Sequence, residues 1–325
     1  MIGEIMKRVL GFIAILIPTL VFSQNYPTKP VRIIVPFAPG GASDFVARIM
    51  QPRLGELLGQ AIVVENKPGA AGNIGVDAAA KSAPDGYTVF LGNVGSIAIN
   101  PAVFTNLQVN PLRDLVAVTQ VVDVPSMLIV HPSLPVNSLK ELVAYAKANP
   151  GKLNYASPGS GSLDRLEMEV LRKLEKLDMV HVPYKGGAGP AVAGLMGGET
   201  QLMFATSASA MPAVKSGRAK PLGVTGTKRL DQVPSAPTMN EQGFPDLTAS
   251  SWQGWFVPAG TPKEIVDRLH AVAAQVMATP EVVTRLATGG GVPLTSPSPA
   301  AFAEYVAAET QRWARIAKES NATPD

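Results

Sequence analysis

Short runs of β-branched and apolar residues alternate along the chain with stretches in which apolar residues recur at helical spacing. This alternation predicts strands that each lead into a helix, and therefore an α/β fold with mostly parallel sheets covered by helices on both faces. The predicted strands lie near residues 31–37, 62–65, 87–91, 153–157, 180–183, 201–204 and 221–224.

Helix starts are marked by capping residues and prolines. Ser138 with Glu141, and Thr261 with Glu264, have the spacing of capping boxes, and Pro262 would occupy the first helical position of the second. The last stretch of about 65 residues predicts two or three helices without a clear strand, so these helices need a sheet elsewhere to pack on.

Two extended, proline-flanked segments, 121–130 and 250–257, predict chain crossings between two lobes. On this interpretation lobe one comprises residues 26–124 plus 251–325, and lobe two comprises residues 125–250. The alternative is one continuous sheet at this length.

The N-terminus has the pattern of an export signal. Lys7 and Arg8 precede an apolar run over 9–22, which Pro18 interrupts. A run of about 14 residues is shorter than the roughly 20 that span a bilayer, so we predict a cleaved signal peptide over 1–23 and a periplasmic protein.

The amino-acid composition argues against several classes of function. The 325 residues are 46% hydrophobic, with a formal net charge of +3 and no cysteine. Without a basic stripe there is no basis for nucleic-acid binding, and without cysteine there is none for thiol catalysis or cysteine-ligated zinc. We expect no cofactor, no metal and a monomer.

Two segments share one layout, in which an apolar strand is followed by a Gly/Ser-rich turn and an amphipathic helix. Each places backbone N–H groups and the positive end of a helix at the carboxyl edge of a sheet, which favours an anion. For either turn alone, an ordinary tight turn with a cap is the simpler interpretation. The candidate residues are Phe37, Ala38, Gly40, Gly41 and Asp44 in the first segment, and Ser157, Gly159, Ser160, Gly161 and Ser162 in the second.

Motifs for nucleotide binding or hydrolysis are missing. The sequence contains neither G-x-x-x-x-G-K-[ST] nor G-x-G-x-x-G, and neither a G-x-S-x-G elbow nor an H-E-x-x-H pair. The histidines stand alone, and Lys185 has the pattern of a solvated loop charge. Asp44 is equally consistent with capping the first helix and with binding a ligand's amino group.

At these loops the chain resembles the extracytoplasmic receptors of tripartite tricarboxylate transporters, the Bug or TctC family, and the resemblance covers nearly the whole chain after the signal. It is carried by Pro36-Phe37-x-Pro39-Gly40-Gly41-x-x-Asp44, Glu65-Asn66-Lys67-Pro68-Gly69-Ala70-x-Gly72, Pro84-Asp85-Gly86-Tyr87, Tyr184-Lys185-Gly186, Glu241-x-Gly243-Phe244-Pro245 and Pro258-Ala259-Gly260-Thr261-Pro262.

The resemblance implies a type II periplasmic-binding-protein fold with a cleft between two lobes, in which both loops grip a ligand carboxylate. It also places Tyr184 at the site. The candidates for a variable distal pocket are Asn93, Ser96, Ala205, Thr206 and Ser207, for which ordinary loop or packing positions are the alternative. Arg165 stands where the family often has histidine, and it would add positive charge or face solvent.

The implied function is a non-enzymatic receptor that captures a dicarboxylate, tricarboxylate, acidic amino acid or aromatic acid and delivers it to membrane transporter subunits. A receptor that signals to a membrane sensor kinase would use the same site. A periplasmic hydrolase is the weaker alternative, because no motif places a general base beside a nucleophile.

Overall fold

The computed structural model of the chain describes residues 26–104, 106–159, 161–184 and 186–319. The predicted signal peptide, the candidate site residue Ser160 and Lys185 lie outside these residues. Within the described ranges, ten strands and eleven helices follow one another along the chain, which confirms the predicted α/β class.

Each of the seven predicted strands is present, and three more join them. The strands are β1 (Val31–Val35), β2 (Ile62–Asn66), β3 (Thr88–Asn93), β4 (Leu115–Val130), β5 (Asn154–Ser157), β6 (Val180–Pro183), β7 (Leu202–Thr206), β8 (Lys220–Val224), β9 (Ser250–Pro258) and β10 (Val292–Pro293).

Helices connect the strands and cover the sheet. They are α1 (Ala42–Leu58), α2 (Asn73–Ala80), α3 (Asn100–Val103), α4 (Pro111–Asp114), α5 (Leu139–Ala148), α6 (Leu163–Glu175), α7 (Ala188–Gly197), α8 (Ser207–Lys215), α9 (Lys263–Met277), α10 (Pro280–Thr288) and α11 (Pro299–Glu319). A π-helical turn, Gly95–Ile99, precedes α3 directly, so residues 95–103 form one helical segment.

The strand order is β2-β1-β3-β9-β4-β7-β5-β6, with β8 and β10 also pairing with β4. Strands β1, β2 and β3 are parallel to one another, and β5 is parallel to β6 and β7. The two long strands β4 and β9 run antiparallel between these parallel groups. The sequence pattern identified both as extended but did not reveal their direction.

Strand β4 serves both parts of the sheet. Its first part, from Leu115 to Pro125, pairs with β9, and its second part, from Ser126 to Val130, pairs with β7 and β8. Two hydrophobic core clusters are formed by residues up to Val124 and residues from Ala249 onward, and one of these clusters also contains Leu163 and Leu166 of α6. Two further clusters use only residues 127–247. The lobe boundaries stay a prediction.

The predicted helix caps differ in outcome. Ser138 caps α5, because its hydroxyl accepts a hydrogen bond from the backbone N–H of Glu141 at 3.1 Å. The second predicted capping box is wrong, since α9 begins at Lys263 with Pro262 at the capping position. The Thr261 hydroxyl instead donates to the Pro258 carbonyl at 2.7 Å and closes the turn that leaves β9.

The C-terminal helix α11 docks on the centre of the sheet through Phe302, which is fully buried against Gly254 of β9. Glu309 lies two turns further along α11 and accepts hydrogen bonds from the indole N–H groups of Trp252 at 3.1 Å and Trp313 at 2.9 Å. The predicted need of the last helices for a sheet is therefore met by β9.

We expect Gly254→Ala to lower the free energy of unfolding by about 1–3 kcal/mol, because the added methyl would overlap the Phe302 ring and lie 2.9 Å from the Thr119 carbonyl oxygen. Chemical denaturation measures this change. Gly197→Ala is the control, since a methyl there meets no atom within 4 Å and alanine favours the helix. Equal stability of the two variants would contradict this account of how α11 docks.

Candidate functional site

A cavity lies beyond the carboxyl ends of β1, β3, β5, β6 and β7, the edge at which open α/β sheets bind ligands. Its volume is about 60 Å³, several times the roughly 10–15 Å³ that one water needs on the same measure. The lining residues are Phe37, Ala38, Gly41, Ala42, Ser43, Asn93, Val94, Gly95, Pro158, Ser162, Leu163, Asp164, Gly186, Ala188, Gly189, Thr206 and Ser251.

Among the described residues, five helical segments begin at this cavity. They are α1, the segment 95–103, α6, α7 and α8, and each contributes residues of its first turn or its cap to the lining. Backbone N–H groups in a first turn have no acceptor inside their own helix, and they carry the positive end of the helix dipole. The cavity therefore favours an anion.

Three of these five starts have no side-chain cap within the described residues. The segment 95–103 is capped by Asn93, whose Oδ1 accepts a hydrogen bond from the Ser96 N–H at 2.9 Å. The capping positions of α1, α7 and α8 are Gly41, Gly187 and Thr206, and none accepts a hydrogen bond from its helix through a side chain. An acceptor supplied by a ligand would satisfy these donors, so the missing caps strengthen the case for a bound anion.

The fifth start, that of α6, is capped by its own loop. The Ser162 hydroxyl accepts from the Arg165 N–H at 3.2 Å and donates to the Gly159 carbonyl at 2.7 Å. The Ser157 hydroxyl contacts the Gly159 N–H at 3.2 Å and His181 Nε2 at 2.7 Å. These serines fix the loop conformation, and Ser162 also lines the cavity.

Glycines allow the second loop to approach the opposite wall closely. A Cβ atom at Gly161 would collide with the side chain of Asn100, which is itself held by donating to the Ala71 carbonyl at 2.9 Å. A Cβ at Gly95 would lie only 3.0 Å from the Gly161 carbonyl oxygen. Larger residues at either position would force the two walls apart.

A second cavity, of about 290 Å³, adjoins the first and shares Phe37, Pro158 and Gly186 with it. Phe104 and Tyr184 add aromatic surface, and the Tyr184 hydroxyl donates to Glu199 at 2.8 Å. The described lining contains no ionisable acid or base other than this tyrosine. It offers room for an apolar part of a ligand.

The predicted site residues fall into four groups. The first cavity is lined by Phe37, Ala38, Gly41 and Ser162, and the second by Gly159, Tyr184 and Phe37. Three others, Ser96, Ser157 and Ala205, are fully buried. A separate open groove is lined by Gly40 and Asp44. Gly161 packs against Asn100, and Ser160 lies outside the described residues. Ligand contact by any of these residues stays a prediction.

The Asp44 carboxylate already accepts hydrogen bonds from groups of the protein itself. The donors are the Gly40 N–H at 3.1 Å, Arg48 Nε at 2.9 Å and Asn66 Nδ2 at 3.0 Å. Burial alone would raise the pKa of Asp44, but the hydrogen bonds from Arg48, Gly40 and Asn66 outweigh it and hold the pKa below its ordinary value. This network fixes the first loop against β2 and favours the structural role over binding an amino group.

Sequence reasoning missed two parts of the lining. The start of α7, with Gly186, Ala188 and Gly189, was given no role, although the glycine pair after β6 repeats the signal of the two predicted loops. Asp164 and Ser251 were also missed. No local pattern marks them, because Asp164 has the sequence position of an ordinary first-turn acid.

Asp164 and Glu167 form a buried acidic pair one turn apart on α6, with 4% and 1% exposure. Burial raises the pKa of both carboxyls above their ordinary values, and the neighbouring charge of Asp164 raises the pKa of Glu167 further. The described residues contain no group of three acidic, histidine or cysteine side chains that could hold a metal ion.

We expect Asp44→Ala to lower the free energy of unfolding at neutral pH by about 1–3 kcal/mol, since hydrogen bonds to a charged group are lost. A lowered pKa stabilises the fold above the unfolded value near 4 and loses this effect as the pH falls through the folded value. Denaturation at a series of pH values should therefore show the difference shrinking in acid.

The control for that experiment is Asp77→Ala, which removes an exposed ion pair with Lys81 at 2.6 Å. Exposed pairs contribute little, so this change should cost below about 1 kcal/mol. Unchanged stability in Asp44→Ala, combined with weaker binding of glutamate alone, would instead assign Asp44 to a ligand's amino group.

None of the helices in the described ranges is both long and apolar enough to cross a membrane. In comparisons with known proteins, the family model for the tripartite tricarboxylate transporter family receptor matches residues 46–322. Protein BugT of Bordetella pertussis is 35% identical over 323 residues, which cover 98% of each chain.

Two solved structures share the fold and the family. R. palustris Rpa4515 with adipate has a TM-score of 0.88 and 34% identity, covering 92% of this chain and 99% of that one. MatC from Rhodopseudomonas palustris with bound malate has a TM-score of 0.84 and 33% identity, covering 90% and 99%. The expected two-lobed periplasmic-binding-protein fold is confirmed. This chain belongs to the family of tripartite tricarboxylate transporter receptors.

Proposed function

We propose that this protein is a periplasmic receptor that binds a small carboxylate in the cavity at the helix starts and delivers it to tripartite tricarboxylate-type transporter subunits. The observation that carries the proposal is the meeting of five helical starts, three without a side-chain cap, around one cavity. Relatives solved with adipate and malate support the ligand class.

The arrangement favours binding over catalysis. The described serines of the second loop are engaged in holding that loop, and Ser157, which contacts His181 Nε2 at 2.7 Å, is fully buried. A hydrolase would need an exposed nucleophile beside a general base. We therefore propose a non-enzymatic receptor that acts as a monomer.

We also propose that the lobes follow the predicted boundaries, 26–124 plus 251–325 and 125–250. Support comes from β4, whose pairing partners change at Pro125 and Ser126, and from β9, which begins at Ser250. The cavity takes residues from both sides of these points, so a ligand there would be enclosed between the lobes.

A thermal-shift panel tests the ligand class, with malate, adipate, citrate, glutamate and benzoate set against glucose and spermidine. We expect at least one carboxylate to raise the melting temperature, because a ligand that binds only the folded state stabilises it. Stabilisation by glucose or spermidine alone would contradict the proposed function.

Gly189→Leu tests the position of the site. A Cβ atom at Gly189 meets no protein atom within 4 Å, and Gly189 lines the cavity, so a leucine there would occupy ligand space, and we expect affinity for the best carboxylate of the panel to fall at least about tenfold. Isothermal titration calorimetry measures this change.

Gly197→Leu is the matched control, because Gly197 ends the same helix, its Cβ is equally unobstructed, and it lies away from the cavity. Both variants should fold, since leucine favours a helix over glycine. Equal affinity of the two variants would remove the start of α7 from the binding site.

A further inference from the structure

The buried acidic pair of α6 faces the ligand cavity on one side. Asp164 lines the cavity although only 4% of the residue is exposed, while Glu167 lies behind it at 1% exposure. The Ser126 hydroxyl reaches Asp164 Oδ1 at a long 3.4 Å. Neither carboxylate oxygen of Glu167 has a hydrogen-bond partner among the described residues.

The charges around the pair do not neutralise it. The hydroxyls of Ser126 on β4 and Thr225 after β8 lie near Glu167 and lower its pKa in part, although neither forms a hydrogen bond with its carboxylate, and the positive charge of Arg312 on α11 also lowers it in part. Arg312 is already engaged with Glu309 at 3.3 Å and with the Thr248 carbonyl at 3.1 Å.

Arg165 is also buried, but it follows Asp164 directly on α6 and therefore projects about 100° away from it around the helix, and it does not shift the pKa of either carboxyl. Three other neighbours are neutral or contact other groups. Strand β9 contributes Ser251, and the start of α8 contributes Thr206, both uncharged. The nearest histidine of the site, His181 on β6, contacts Ser157. Two buried carboxyls one turn apart cannot both ionise without a cation, so the pair holds at least one proton near neutral pH.

We propose that Asp164 determines specificity at the ligand site: when a carboxylate enters the cavity, the Asp164–Glu167 pair takes up a proton from solvent and Asp164 donates an O–H hydrogen bond to the ligand oxygen. One proton is taken up for each carboxylate bound, so one buried negative charge is neutralised when one ligand charge enters the cavity. This inference rests on the proposed function and adds a residue and a pH dependence to it.

The pH dependence follows from the raised pKa of Asp164, which burial brings to about 7. Below that pH both carboxyls of the pair carry a proton, so Asp164 can donate to the ligand without taking up another. Above it, each bound carboxylate must bring one proton from solvent, so affinity falls by up to about tenfold per pH unit. Ordinary carboxylates such as adipate and benzoate are ionised throughout this range, so the change belongs to the protein.

The wild-type test is calorimetry with the panel carboxylate that gives the largest thermal shift, from about pH 6.5 to about pH 8.5. We expect affinity to fall at least about tenfold, and the heat to vary with the ionisation enthalpy of the buffer as proton uptake requires. Binding without proton uptake would overturn the inference and leave the proposed function intact. An absence of any carboxylate binding would instead contradict the proposed function itself.

The variant Asp164→Asn keeps a hydrogen-bond donor of the same shape and removes the titration. We expect it to bind the same carboxylate with little pH dependence and, near pH 8.5, more tightly than the wild type by about tenfold. If this variant does not fold, the proton uptake of the wild-type protein still decides the question.

The control variant is His181→Gln, which removes the imidazole beside the second loop while retaining a side chain able to contact Ser157. Proton uptake should persist in His181→Gln and disappear in Asp164→Asn. The reverse pattern would overturn the assignment to Asp164. Proton release on binding of glutamate would also overturn it, because an ionised Asp164 would then be pairing with the amino group.

Discussion

The first N–H groups of a helix cannot be satisfied within that helix, and this constraint organises the site. Strands β1, β3, β5, β6 and β7 end at one edge of the sheet, so the helical segments that follow them begin at one place. Elsewhere the chain uses side chains as caps, as Ser138 does for α5. Around the cavity three starts, those of α1, α7 and α8, lack such caps, which leaves oriented donors for an anionic ligand.

The antiparallel strands β4 and β9 lie between the two groups of parallel strands whose helices begin at the cavity. Strand β4 runs through the point where its pairing partners change, and β9 begins beside that point, so strands on both sides can direct their helices toward one cavity. The acidic pair of α6 lies beside these strands, with Ser126 of β4 as its nearest described partner. Donors from helix starts attract a carboxylate, while Asp164 opposes it unless protonated, so the cavity combines attraction with a proton-dependent element of selection.

The sequence predicted much of the fold because strand and helix periodicities are local. It located seven strands, the Ser138 cap and both loops at helix starts, and its extended segments indicated two lobes, to which the resemblance added the periplasmic-binding-protein fold. The Thr261 cap failed because its hydroxyl is claimed by the Pro258 carbonyl, a contact that the pattern does not encode. Asp164 was missed because the burial of an acid depends on tertiary packing, and a first-turn aspartate ordinarily faces solvent.

The packing of Phe302 against Gly254 affects the order in which parts of the chain can fold. The core cluster that contains Phe302, Val306 and Trp313 also contains Ile34 and Phe90, which lie more than half of the chain away from them in the sequence. Contacts of such large sequence separation form slowly, because a long loop must close before they stabilise anything. The first three strands therefore lack part of their core until the last helix is synthesised, which keeps the chain incompletely folded while it emerges.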